Sequence, residues 1–462
     1  MTEDLFPEFD PATKSDWITQ ASKEIKGQDV LSTLGSKLWD TLELKPFYTQ
    51  DDVSGPIVQH RFHSSDALQG FPPRKWDNVV SVLPGDTNAQ IMNVLENGAE
   101  GLVLHLNGFE ELSEILTGVL PQYISIFVVP VGNPVAALRS FFDWVDATGV
   151  SPESFSGGML WSPSDLVFDQ NESFGLGSDI LSELMEMTDP YPNFKAFCIK
   201  TSRYTESGGN PLDALSFGLG ELIDLIDFID VEPKVILSKV FLEASVAENH
   251  FGEIARLKAF RVAFSQLAKL YATDLKEEEV FLFCKTAQWS KSLLDANTNL
   301  IRQTYEAMAA VLGGANWLWV QPLREENCSN QERRIARNVS SILREESYLD
   351  KVMDPAAGAY FLENLKEDIL TKLRQKLSIM EASGGWSKAF LRGEIHFAIR
   401  QQREKIQNQV LQNQLAKIGV NKYPPTDESS LDVVWEPFEE KMHQLNPTRA
   451  TYLIELQTLG EA

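Results

Sequence analysis

The chain has 462 residues, of which 43% are hydrophobic and 10% aromatic, more than one ordinary domain and ample material for a large core. Its 41 basic and 66 acidic side chains leave a formal net charge of −25. Charge of that sign and size repels phosphate backbones and anionic lipid, which argues against nucleic acid and membrane partners.

Residues 1–45 read as an N-terminal arm. Trp17, Ala21 and Ile25 recur at helical spacing and Gly27 stops the helix. Such a stripe must be buried on its own barrel or on another subunit, and the pattern leaves both open. The acidic start lacks the basic and apolar regions of a leader, and no run reaches the ~18 apolar residues of a membrane span. A cytoplasmic location is expected. Cys198, Cys284 and Cys328 stand far apart with no metal-binding spacing, as expected of reduced thiols.

From about residue 76, short apolar runs alternate with helical patterns. The runs are 79–83, 101–106, 124–131, 158–161, 194–201, 237–242, 280–284 and 317–320. Helices are expected between them, among others at 89–96, 134–148, 212–229 and 253–271. Strand and helix alternating in this way predict the α/β class, and eight even repeats favour a closed (β/α)8 TIM barrel over an open sheet. The barrel is expected to occupy residues 46–390. Beyond it, residues 391–462 read as a helical extension and linker strand. Ile406, Val410, Leu411, Leu415 and Ile418 keep a helical stripe through a Gln/Asn-rich stretch, Pro424 and Pro425 mark a linker, and 450–459 reads as a strand.

The strands carry Phe197, Phe241, Phe281, Phe283, Trp317 and Trp319. Alternation sends some of them inward, so the barrel is expected to be plugged by aromatic side chains. Arg333, Arg334 and Arg337 share a helix, where ion pairs within the chain are the expected use. Glu277, Glu278, Glu279, Glu345 and Glu346 read as solvated faces.

One block identifies a family. It contains Lys285-Thr286-Ala287-Gln288-Trp289, then a helix with Ile301, Tyr305, Met308 and Leu312, closed by Gly313-Gly314. Arg333-Arg334-Ile335-Ala336-Arg337-Asn338, Leu343-Arg344-Glu345-Glu346-Ser347 and Asp354-Pro355-Ala356-Ala357-Gly358 complete it. In number and order these resemble the last strands and helices of the methylmalonyl-CoA mutase barrel. The resemblance implies a radical isomerisation of a branched acyl-CoA, with adenosylcobalamin supplying the hard step.

The elements that such chemistry needs are altered here. The family's cobalamin-binding Rossmann-like domain, with its Asp-x-His-x-x-Gly ligand loop, is expected to be absent, because none of His60, His63, His105, His250, His396 and His443 sits in that motif. Catalytic relatives carry a Tyr-His pair followed by Glu-Ala-Gly after the fifth strand. This chain reads Arg203-Tyr204-Thr205-Glu206-Ser207-Gly208, which puts Arg203, or after a one-residue shift Tyr204, in place of the imidazole and keeps Glu206 and Gly208 as scaffold for the next helix. An arginine is permanently charged and cannot serve as a neutral hydrogen-bond partner. The loop after the fourth strand, Gly157 to Pro163, lacks the family's Gln, and Phe47-Tyr48-Thr49 is the only remnant of its acyl-covering loop.

No residue of this chain is therefore expected to be catalytic, to bind a cofactor or to hold a metal, and Arg203, Tyr204 and Glu206 mark a degenerate pocket. The resemblance implies a small subunit paired with a large one that holds adenosylcobalamin, through an extensive apolar interface. Two alternatives stand beside it. One is a catalytic barrel served by a separate cobalamin chain; the other is a module that binds acyl-CoA without turnover.

Overall fold

The computed structural model describes residues 12–53, 60–62, 72–323, 328–425 and 435–460. Each expected apolar run forms a strand. After an antiparallel hairpin, β1 (Ser36–Leu38) with β2 (Leu42–Leu44), come β3 (Asp77–Val82), β4 (Gly101–Leu106), β5 (Ser125–Pro130) and β6 (Ser156–Met159). β7 (Phe194–Lys195), β8 (Phe197–Lys200), β9 (Val240–Val246), β10 (Leu282–Thr286) and β11 (Trp317–Trp319) complete the set. The sheet runs β7-β6-β5-β4-β3-β11-β10-β9-β8 with every pair parallel. β7 and β8 are two halves of one strand interrupted at Ala196, whose N–H still donates to the Lys239 carbonyl at 2.8 Å. Since β7 pairs with β6 and β8 with β9, the sheet closes on itself as a (β/α)8 barrel.

Alternation along the strands builds two cores. Leu102, Leu104, Ile126, Val128, Ile199, Leu242 and Leu318 point out and join the main cluster under the surrounding helices. Val79, Val103, Phe127, Leu160, Cys198, Phe241, Phe283, Trp317 and Trp319 point in and form a separate cluster. The helices sit close to expectation: Asn88–Glu96, Pro134–Thr148, Pro211–Phe228 and His250–Leu270, with Ala296–Leu312 and Asn330–Glu345 after the last two strands.

Two stretches differ from expectation. The run at 237–242 begins as a helix, Pro233–Ser238, because Pro233 sets its first turn, and the strand starts only at Val240. The expected strand at 450–459 is a helix, Tyr452–Leu459, anchored by the fully buried Glu455. Its carboxylate accepts from the Leu293 N–H at 2.9 Å and the Ser292 hydroxyl at 3.0 Å, a tie to the barrel that alternation could not reveal.

The arm helix, Lys14–Glu24, is capped by Thr13 and ends before Gly27 as expected. Trp17 rests on Phe47 at 4.6 Å, Lys14 pairs with Asp52 at 2.6 Å, and Tyr48 packs on Phe361 at 5.2 Å. The arm thus reaches the helix Tyr360–Ala382 of its own chain. The helix Glu394–Leu411 lies against the barrel, with Ile395 and Ile399 in a cluster around Trp386, Phe168 and Tyr204. Of the expected stripe Val410 is buried, but the helix ends at Leu411, and Leu415 and Ile418 beyond it are exposed.

Candidate functional site

In a barrel of this kind the chemistry belongs at the C-terminal ends of the strands, reached through the lumen or across the loops. The lumen comes first. Phe127 stands at its centre, with ring centroids 4.7 Å from Phe283, 5.0 Å from Trp317 and 5.8 Å from Phe241. Every barrel strand contributes at least one side chain to this cluster, Leu160 doing so from just beyond β6. Gly158 makes room for it: a Cβ there would come within 2.7 Å of the Phe241 ring. Of the aromatics expected to fill the bore, Phe241, Phe283, Trp317 and Trp319 do so, Phe281 packs against them, and Phe197 points out to the helices. Phe127, which Phe241, Phe283 and Trp317 all touch, was not singled out from the sequence.

At the N-terminal end, a cavity of about 490 Å³ is lined by Asp77, Ser125, Lys195, Phe281 and Trp317. It stops at the plug, since Trp317 packs on Phe127 and its Nε1 donates to the Ser125 hydroxyl at 3.0 Å. Burial lowers the Lys195 ammonium to about 8, and its Nζ donates to the Ser238 carbonyl at 2.7 Å.

At the C-terminal mouth, charges replace rings. Asp165, on the turn after β6, receives Lys200 Nζ at 3.1 Å and Arg203 Nη2 at 2.5 Å. Arg203 also pairs with Asp169 through both terminal nitrogens, each at 2.7 Å. Glu243 of β9 takes Lys285 of β10 at 3.3 Å and accepts the Ser202 N–H at 3.2 Å. Burial alone would raise the Asp165 carboxyl, but Lys200 and Arg203 hold it below the usual carboxylate range. Burial likewise works against the Arg203 charge, yet Asp165 and Asp169 push its pKa up and fix the guanidinium as a cation.

The three positions of the expected pocket therefore carry structural loads. Arg203, its side chain 8% exposed, is spent on two carboxylates and stacks on Phe168 with its guanidinium carbon 5.2 Å from the ring centroid. Tyr204 points away from the lumen, where its hydroxyl accepts from Trp386 Nε1 at 3.0 Å. Glu206 accepts the N–H groups of Gln288 at 2.9 Å and Trp289 at 3.0 Å. It braces the loop after β10, which corrects its expected role under the helix Pro211–Phe228.

Sequence reasoning missed Asp165, Lys200 and Glu243, and met Lys285 only as part of the family block. Their only signal was position, at or just past the C-terminal ends of strands. It also passed over His105 of β4, whose Nε2 lies 3.1 Å from the Ser81 hydroxyl and whose ring meets the edge of Trp319 at 6.5 Å. Among the described residues no cluster of His, Cys, Asp and Glu could hold a metal ion. His60 pairs with Glu277 at 2.6 Å, so that glutamate is not the solvated residue expected. His250 faces the Tyr305 carbonyl at 3.2 Å and His396 the His443 carbonyl at 3.0 Å, and His63 lies outside the described residues. The buried thiols of Cys198 and Cys284 are raised by burial, so neither is a reactive thiolate. No helix among the described residues is long and apolar enough to cross a membrane.

The family model described as methylmalonyl-CoA mutase matches residues 96–452. The chain is 24% identical to a methylmalonyl-CoA mutase small subunit of Porphyromonas gingivalis, over 94% of this chain and 73% of that protein. A small subunit of the same name from Streptomyces virginiae is 25% identical over 79% of this chain and 63% of its own length. The methylmalonyl-CoA mutase of Escherichia coli is 30% identical over 70% of this chain but only 47% of its own length. The chain thus spans about two thirds or less of several relatives it matches.

Proposed function

Because the chain belongs to the methylmalonyl-CoA mutase family, we propose that it serves as the small, non-catalytic subunit of such a mutase, pairing with a large subunit that holds adenosylcobalamin and converts methylmalonyl-CoA to succinyl-CoA. The observation that carries this reading is the filled lumen. A pantetheine chain threading the barrel would need the space that Phe127, Phe241, Phe283 and Trp317 occupy, all of them buried. The mouth adds a second reason. Gripping an acyl carboxylate or thioester takes polar groups with bonds to spare, whereas Arg203, Lys200 and Lys285 are already paired with Asp165, Asp169 and Glu243. Adenosylcobalamin would supply radical chemistry when bound to the large subunit, while in this chain His60, His105, His250 and His396 are engaged with Glu277, Ser81 and the Tyr305 and His443 carbonyls. The small-subunit names of the Porphyromonas and Streptomyces relatives support a two-chain assembly.

Co-expression with the large-subunit gene of the same source tests the reading. The two chains should co-purify, mutase activity should follow the large chain, and this chain alone with adenosylcobalamin should turn nothing over. Turnover by this chain alone, or a large subunit that ignores it, would overturn the proposal.

A further inference from the structure

The helix Asn330–Glu345 carries three arginines on the side that meets the barrel, and they are treated unequally. Arg333 is saturated: it pairs with both oxygens of Asp86 at 2.8 and 2.7 Å and donates to the Ser81 carbonyl at 2.9 Å. Arg344, at the far end, grips Glu100 the same way at 2.7 and 2.8 Å. Arg337, between them, is only 8% exposed, yet among the described residues no carboxylate reaches it and its Nε lacks any acceptor. Burial, and then the neighbouring charge of Arg334, press its pKa down. Arg74 and Arg261 are also buried without an acid, but their terminal nitrogens donate to backbone carbonyls, whereas no hydrogen bond from the Arg337 side chain reaches any described residue.

Arg337 lines a cavity of about 470 Å³ at the C-terminal ends of β3 and β11, between the helices Asn88–Glu96 and Asn330–Glu345. That volume is within the range of small-molecule sites. Its lining is apolar at Val80, Val82, Ile91, Val94 and Val320 and cationic at Arg334 and Arg337. Among the described lining residues the sole carboxylate is Asp86, already committed to Arg333 and to the Leu83 N–H at 2.9 Å.

We propose that this groove binds a small organic anion, a carboxylate or phosphate group held by Arg337 and Arg334 with an apolar body laid against Val82, Ile91 and Val94. An oxyanion at Arg337 supplies the missing acceptor, and guanidinium-to-oxyanion hydrogen bonds are the strong, charge-assisted kind. The apolar lining gives the preference for a ligand with a body over a bare ion.

Calorimetry on the purified full chain at low ionic strength tests this, with phenyl phosphate, 3-phenylpropionate, inorganic phosphate and neutral 3-phenylpropan-1-ol as probes. At least one of the aromatic anions binds more tightly than inorganic phosphate, the alcohol does not bind, and the better of the two anions tells phosphate from carboxylate. Arg337→Gln weakens that binding about tenfold or more. Arg334→Gln, at an exposed position, weakens it about threefold. No binding by either anion at millimolar concentration overturns the proposal. So does binding that Arg337→Gln leaves unchanged in a chain with wild-type circular dichroism, or an alcohol that binds as tightly as the anions.

Discussion

The lumen and the mouth of this barrel leave a substrate no place for opposite physical reasons. In the lumen, rings from facing strands meet at 4.7 to 5.8 Å around Phe127, and the space is consumed by volume. At the mouth the side chains are long and charged, and what is consumed is bonding capacity: Asp165 holds two cations and Arg203 two carboxylates. A packed core resists change through lost contacts and cavities. An ion cluster resists it through the cost of stranding a buried charge.

The lumen gives the largest expected effect. Phe127→Ala removes the ring that Phe241, Phe283 and Trp317 all touch, and neighbours held on separate strands cannot close the hole. Urea unfolding should show a loss of about 3–5 kcal/mol. A loss under about 1 kcal/mol would mean the bore is loosely filled, with room for a chain after all.

The mouth comes next. Asp165→Ala leaves Lys200 without its carboxylate while Arg203 keeps Asp169, so the expected cost is about 3 kcal/mol in the same measurement. The loss should shrink when Lys200→Met is added, since the stranded cation is then gone. If the double variant is no more stable than the single one, the cost does not come from unpaired charge.

The two regions also differ in how far the sequence disclosed them. The lumen follows from alternation within single strands: once Leu242 faces the helices, Phe241 must face in. Even so, Phe127 escaped notice, because Ser125–Pro130 reads as a continuous apolar run in which alternation cannot be heard. The mouth was legible only at Arg203, where the family resemblance pointed. Its partners sit 38 and 34 positions away, on another loop, and no local pattern pairs them. The same limit explains the helix Ala296–Leu312. Ile301, on the same side as Tyr305, Met308 and Leu312, is 66% exposed, while Arg302 and Glu306 are buried because the Ile418 carbonyl meets the one and Ser290 and Lys291 the other. Polar burial is decided by distant partners, which the chain order does not show.

A third buried group sharpens the contrast because it is charged like the mouth and unpaired like the lumen. Glu221, on the helix Pro211–Phe228, accepts the N–H and hydroxyl of Ser164, at 3.2 and 3.0 Å, and no cation pairs with it among the described residues. Burial raises its carboxyl to about 7 from an ordinary 4.5. The folded chain therefore keeps this proton where the unfolded chain releases it. That contribution to stability is complete below pH 4.5 and is lost as pH rises through about 7. Glu221→Gln should match the wild type near pH 4 and exceed it at pH 8 by about 2 kcal/mol in thermal unfolding. A difference that does not change with pH would show that a cation reaches Glu221 in solution.

The smallest effect belongs to an ion pair of the same chemistry outside the barrel. Arg139 meets Glu183 at 3.4 Å with side chains 65% and 50% exposed, between the helices Pro134–Thr148 and Phe174–Met187. Water solvates both ends, so the attraction is screened and the two side chains lose rotamer freedom to keep it. Arg139→Ala should change unfolding stability by less than about 0.5 kcal/mol, and a double-mutant cycle with Glu183→Ala should give coupling of the same small size. The corresponding cycle on Arg203 and Asp165 should give a coupling several times larger, and one that 0.5 M salt leaves in place while it erases the outer pair. Equal couplings at the two sites would mean that burial is not what locks the mouth, and Arg203 would then be free to swing toward a ligand.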